Sequence, residues 1–312
     1  MLADVYLHTG QPIAPHDALG SWSLDPLAWV GMAAVVWLYG RGHRHQDRRW
    51  FWFGMLAIFL ALISPLEAMS GSLASAHMAQ HLLLILVAAP AFVRGGVGAA
   101  VYAGWPVSLR RKFGASRRRL GLNPARVRRL ASPVLSLLAH AGILLFWHAA
   151  GPYQAALIST PVHYLEHTTL VGSAVWFWLS VFSDRHPHSG GVGVLGVFGL
   201  ALQSVFLALL MTFAERPWYS MYEQTTPLWG LTALADQHLA GVIMWVPAGL
   251  VYAGIGLTQL ARWLRAIEER SVLRQKRPEN FEIPSRHGSA AEPLLDSSSR
   301  RDGVDLPEAG DR

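Results

Sequence analysis

Apolar residues gather along this chain in long runs separated by short polar breaks. Seven runs approach the roughly 20 residues that an α-helix needs to cross the hydrocarbon core of a bilayer. They are 24–40, 50–66, 77–95, 133–150, 163–182, 191–213 and 238–260. No soluble core accounts for seven such segments. The pattern therefore predicts an all-α, polytopic membrane helix bundle with seven transmembrane helices. Prolines such as Pro90 and Pro247 fall inside runs; a membrane helix tolerates them where neighbouring helices or waters satisfy the released carbonyl. The sixth run opens on Gly190, Gly191, Gly193, Gly196 and Gly199, which permits close approach of another helix.

The polar breaks give the expected orientation. Arg41, Arg44, Arg48 and Arg49 lie between the first two runs. The stretch after the third holds Arg94, Arg110, Arg111, Lys112, Arg117, Arg118, Arg119, Arg126, Arg128 and Arg129. Arg185 follows the fifth, and Arg262, Arg265, Arg270, Arg274, Lys276 and Arg277 follow the seventh. The alternate set of breaks (1–23, 67–76, 151–162 and 214–237) carries Arg216 alone. Positive residues accumulate on the cytoplasmic side, so the N-terminus is expected outside and the C-terminus inside. Three regions follow: an outer N-terminal segment over 1–23, a seven-helix membrane domain over 24–262, and a cytoplasmic tail over 263–312. Past about residue 278 the tail is polar and acidic, with Ser297, Ser298 and Ser299. It cannot bury enough apolar surface to offset the entropy of ordering, and disorder is expected.

Composition agrees. Hydrophobic residues make up 52% of the chain and charged residues 15%, where soluble domains carry about 25% charged. The 13 tryptophans suit aromatic belts at membrane interfaces. A net charge of +6 could suggest nucleic acid, but the basic residues sit in blocks between apolar runs, so the expected partner is the lipid bilayer and not nucleic acid. The first basic residue is Arg41. The charged start of a cleavable signal is missing, and the first apolar segment is expected to stay in the mature protein. Cysteine is absent, so soft-metal chemistry must use His, Met or carboxylate.

Histidine supplies the candidate chemistry. HMAQHLLLILVAAP places His77 and His81 at the head of the third run, and HYLEHTTLVGSAVWFWL places His163 and His167 at the head of the fifth. Residues four apart share a helix face. The fourth run ends at His148, and the seventh begins Asp236-Gln237-His238. On the expected topology all of these fall at the outer ends of four helices, with Glu67 and Glu215 at the same boundary and His140 two turns deeper. Ionisable groups at membrane depth are costly and usually functional. The candidate metal ligands are thus His77, His81, His148, His163, His167, His238 and Asp236. Met78 and Met244 lie within about two turns and offer thioethers; His with Met suits copper, and His alone also suits zinc. His163 to His167 also fits H-x-x-E-H, an inverted zincin pattern in which Glu166 would activate water. That pattern fixes only three residues, and HMAQH lacks the glutamate, so no enzymatic activity is expected.

Three segments carry a resemblance. HMAQHLLLILVAAP, LLFWHAAGPYQAALISTPVHYLEH and DQHLAGVIMWVPAGLVY, in this order and spacing, resemble the CtaG family of caa-type cytochrome c oxidase assembly factors over roughly residues 20–262. The resemblance implies a multi-pass protein of the bacterial plasma (inner) membrane, needed to make active haem-copper oxidase. Its family-typical positions correspond to His77, His81, Trp147, His148, His163, Glu166, His167, Asp236 and Gln237. The expected function is assembly of a haem-copper cytochrome c oxidase, with copper bound by the outer-face histidines and oxidase subunits as partners. Two alternatives stay open: haem held between histidines of facing helices, and a scaffold whose histidines only pack and hydrogen-bond.

Overall fold

The computed structural model describes residues 11–42, 48–121, 132–182 and 189–275, and among them every regular element is helical. The expected disordered tail beyond 275 and the basic positions Arg44, Arg126, Arg128, Arg129 and Arg185 lie outside the described residues. Two compact units result, 1–267 and 268–312. Of the second, only residues 268–275 are described, and they are helical.

The helices are α1 (Pro26–Gly42), α2 (Arg48–Leu62), α3 (Pro65–Ser70), α4 (Ala74–Arg94), α5 (Val97–Gly104), α6 (Val107–Arg119), α7 (Pro133–His148), α8 (Ala150–Ile158), α9 (Thr160–Val181), α10 (Ser189–Thr212) and α11 (Ala233–Gln275). Each of the seven apolar runs lies on a helix. Among the described residues three helices are individually long and apolar enough to cross a membrane: α4, α10 from Gly191, and α11 as far as Leu273. The pair α7 and α8 makes a fourth if taken as one span bent by 70°. At 17 and 15 residues, α1 and α2 fall short of the roughly 20 that a span needs. At 22 residues α9 is long enough, but its first two turns carry His163, Glu166 and His167.

Helix α9 is the centre of the unit, packing on α7, α4, α8 and α10. Its buried side holds Leu170, Ala174, Phe177, Trp178 and Val181. Such packing contributes through close van der Waals contact, and the indole of Trp178 also has a polar use. Its Nε1 donates to the Ile85 carbonyl at 2.9 Å. Ile85 lies in a π-helical turn, Leu83–Ala88, inside α4, where widened geometry leaves carbonyls to be satisfied from outside. Gly96, at φ 59°, separates α4 from α5, a conformation that favours glycine.

Glycines set two other close approaches. A Cβ at Gly104 would overlap the Leu38 carbonyl, and one at Gly42 would overlap the Ala100 carbonyl, so α1 and α5 touch backbone to backbone. Gly241 of α11 faces Thr212 and the Ala208 carbonyl of α10, the latter 2.8 Å from where a Cβ would sit. On the far side of α10, Leu195, Phe198, Leu202 and Phe206 are exposed. They recur every three or four residues. A helix apolar on both its packed and its outward face belongs in an apolar solvent.

Candidate metal centre

The site begins with the start of α4. Its N-cap position, Leu73, has no side chain able to cap. The carboxylate of Asp236, from the first turn of α11, does this instead. It accepts from Ala74 N at 2.6 Å, Ser75 N at 3.3 Å and Ser75 Oγ at 2.5 Å. An anion at a helix N-terminus meets unpaired amides and the positive end of the dipole. So anchored, α4 turns His77 and His81 inward, with ring centroids 4.4 Å apart.

From the opposite wall α9 presents His163, Glu166 and His167. The spacing i, i+3, i+4 puts all three on one helix face. Glu166 is fully buried at the centre of the cluster. Its Oε1 lies 3.6 Å from His77 Nε2 and 3.7 Å from His81 Nε2, and its Oε2 lies 3.5 Å from His163 Nδ1. The rings of His163 and His167 lie tilted to one another at 4.0 Å between centroids, and those of His81 and His167 meet edge-on at 5.4 Å. His148, the last residue of α7, lies 6.4 Å from His81.

Two donor groups can hold an ion: His77, His81 and Glu166, and His163, Glu166 and His167, with the ligand atoms of each within 4.8 Å of one another. The ring nitrogens of His77 and His81, and Nε2 of His148 and His167, are buried and make no hydrogen bond. Leaving such a group unsatisfied costs about 1–3 kcal/mol. Several converging on one carboxylate fit a cation that takes nitrogen and oxygen ligands.

Outer contacts orient these donors, as they do around metals generally. His148 Nδ1 lies 2.7 Å from the Leu144 carbonyl. A carbonyl only accepts, so Nδ1 carries the proton and Nε2 presents its lone pair. Glu67, at the start of α3, approaches His163 Nε2 at 3.5 Å. Gln80 of α4 donates to Glu67 and, at 2.9 Å, to the Ala61 carbonyl. Gln80, fixed on Ala61, thus holds Oε2 of Glu67 while Oε1 faces the imidazole.

A tyrosine latch closes one end. Tyr153 stacks on Tyr219 at 3.8 Å and lies 4.8 Å from His77. Tyr219 donates to the His148 carbonyl and Tyr222 to that of Ser70, both at 2.9 Å. Thr225 Oγ1 donates to the Ser72 carbonyl at 2.7 Å. Burial pushes the Tyr219 and Tyr222 phenols up, so both remain O–H donors at neutral pH. At the side, a cavity of about 270 Å³ lies among α1, α2 and α9 and reaches Glu67, His163 and His167, with Met32 and Met55 in its walls.

Of the residues expected from sequence, His77, His81, His148, His163 and His167 come together. Asp236 and His238 fall outside both donor groups. Asp236 is occupied as the cap of α4, and His238 Nε2 pairs with the Ala214 carbonyl at 3.0 Å. Between them Gln237 accepts from Trp218 N at 2.6 Å and donates to the Met211 carbonyl at 3.3 Å. The DQH tripeptide therefore fastens α4 and the segment after α10. Met78 and Met244 are buried in the apolar cluster that contains Tyr153 and Tyr219. His140 pairs with Ser173 Oγ at 2.8 Å. The central place of Glu166 was not foreseen, nor were the roles of Glu67 and Gln80. The fourth position of HYLEH was the available signal, since it shares a face with both histidines.

Apolar helices that bury imidazoles around one carboxylate define a helical membrane protein with the donor set of a metal centre. Comparison with known proteins narrows the class. The family model for the cytochrome c oxidase caa3 assembly factor (Caa3_CtaG) matches residues 30–266. The chain belongs to that family. Among curated proteins it is similar to two described as uncharacterized, one from Mycobacterium bovis and one from Mycobacterium tuberculosis. Each is 26% identical over 299 residues, a match covering 86% of this chain and 44% of the relative. The chain thus spans less than half the length of the curated relatives it matches. No solved structure matches it.

Proposed function

We propose that this protein serves the assembly of a haem-copper cytochrome c oxidase by binding copper at the His77–His81–His148–His163–His167–Glu166 cluster and passing it to an oxidase subunit, without catalysing a reaction. The observation that carries this reading is the set of buried imidazole nitrogens of His77, His81, His148 and His167 around Glu166 that lack hydrogen bonds. Imidazole and carboxylate donors suit Cu(II) and also zinc; the family's link to oxidase assembly favours copper. The haem alternative is weakened by packing. The rings of His77, His81, His163 and His167 lie 4.0–5.9 Å apart between centroids, which leaves no slot for a macrocycle among them. The peptidase alternative is weakened by Glu166, which sits among the donors and not beside them.

Purified protein titrated with copper is expected to retain it. A variant with His77, His81, His163 and His167 changed to Ala is expected to retain none. Equal retention by the two would overturn the reading. Only neutral imidazole is a ligand, so protons compete and binding weakens as pH falls.

The copper site belongs, in this reading, to a seven-span protein of the bacterial plasma membrane with its N-terminus outside. Its support is a helix on each apolar run and the one-sided distribution of Arg and Lys. The cluster then lies toward the outer surface, and the basic helix α6 toward the anionic inner leaflet, where each Lys or Arg contributes about 1 kcal/mol of attraction. The absence of native cysteine gives a clean background for labelling. Ser220→Cys is expected to react with a membrane-impermeant thiol reagent in intact cells, and Ser116→Cys only after lysis. The reverse pattern would invert the topology.

A further inference from the structure

The two donor groups share a single residue, Glu166, and they use different atoms of it. Oε1 faces His77 and His81, at 3.6 and 3.7 Å from their Nε2 atoms. Oε2 faces His163 Nδ1 at 3.5 Å. Around an ion with ligands at about 2.0–2.2 Å, neighbouring donor atoms lie roughly 2.8–3.6 Å apart, from square-planar to tetrahedral geometry. The carboxylate–imidazole distances of 3.5–3.7 Å lie at the upper end of that range, and the ligand atoms of each group all lie within 4.8 Å of one another. A single ion would take one face of the carboxylate, and on the α9 face it would leave the buried ring nitrogens of His77 and His81 without a hydrogen bond. Two ions satisfy both donor groups.

We infer that the cluster holds two copper ions bridged by the Glu166 carboxylate, one bound by His77 and His81 and the other by His163 and His167. The inference rests on the copper reading of this site and adds its stoichiometry and internal order. Carboxylate-bridged pairs place their ions about 3.5–4 Å apart. His148 is placed to join the first ion, since its Nε2 is deprotonated and buried and its ring neighbours His81. The second ion has a different surrounding. His163 offers Nδ1 toward Glu166 while its Nε2 faces Glu67, the arrangement in which an outer carboxylate orients a metal-bound imidazole.

The ions are unequal in access. His163, His167 and Glu67 line the side cavity, whereas His77, His81 and His148 do not. The ion at the α9 pair is therefore the exchangeable one, and the ion at the α4 pair the retained one.

The test loads full-length protein in detergent with cupric ion, removes excess, and measures copper per chain together with the electron paramagnetic resonance intensity. Two coppers per chain are expected, with resonance intensity well below that of the same amount of isolated Cu(II), because ions this close couple magnetically. A chelator should remove one copper at least tenfold faster than the other. His163→Ala with His167→Ala should leave one copper at full intensity, slow to leave. His77→Ala with His81→Ala should leave one copper, fast to leave. One uncoupled copper in the wild type, abolished by either double substitution, would refute the pair and keep the copper reading. Two coppers at full intensity would refute the bridge. No copper in the wild type would remove both readings. Should a double variant fail to fold, the copper count and intensity of the wild type alone still decide.

Discussion

Glu166→Leu is expected to lower copper affinity by on the order of 100-fold or more while leaving the metal-free protein as stable as the wild type, or more so. Substitutions in the shell outside a metal's own ligands already reduce affinity about 10–100-fold, and Glu166 is the one residue common to both donor groups. The stability half follows from its surroundings. Neither carboxylate oxygen makes a hydrogen bond, and the nearest imidazole nitrogens lie 3.5–3.7 Å away. A buried carboxylate left without hydrogen bonds costs about 1–3 kcal/mol or more, a cost that an apolar residue of similar volume does not carry. Competition with a chromophoric chelator reads the affinity, and thermal unfolding in detergent without metal reads the stability. An affinity within tenfold of the wild type would show that Glu166 is not a ligand.

Asp236→Leu is expected to do the opposite, destabilising the fold by on the order of 3 kcal/mol or more at about 1 kcal/mol or more for each donor left unpartnered. Those donors are Ala74 N, Ser75 N and Ser75 Oγ. Asp236→Asn keeps one acceptor oxygen and should cost less. The expected readout is a lowered unfolding temperature and earlier proteolysis near Ala74, with copper still bound by the folded fraction. Unchanged stability would mean that α4 does not depend on this cap. Two buried acids, both family-typical positions by the sequence resemblance, are thus separated by the sign of their effect on stability.

The contrast explains what sequence could and could not resolve. Apolar runs mark helices well, because burying or embedding some 20 apolar residues leaves few other solutions. Helices therefore lie on all seven runs. The short α3, α5 and α6 were read as connections, since none is long enough to register as a span. The histidines converge as expected because their depth follows from their position along each helix. Depth is not direction around the helix axis, however. Asp236 and His238 share the level of the cluster, but α11 begins at Ala233, and that start turns Asp236 onto the end of α4 and His238 onto Ala214. In sequence the one chemical role that Glu166 suggested, a peptidase base, was set aside, because H-x-x-E-H specifies a pattern along one helix only. Only the facing pair on α4 shows that both its oxygens are engaged.

The side cavity has a consequence for traffic. Its walls are Leu27, Met32, Met55, Ile58 and their neighbours on α1 and α2, while the other end of the cluster is fastened by Tyr219, Tyr222 and Thr225. A partner lying alongside in the same bilayer would face the cavity and the thioethers of Met32 and Met55. In the copper reading proposed above, that wall offers a route sideways, from one membrane-embedded chain to another.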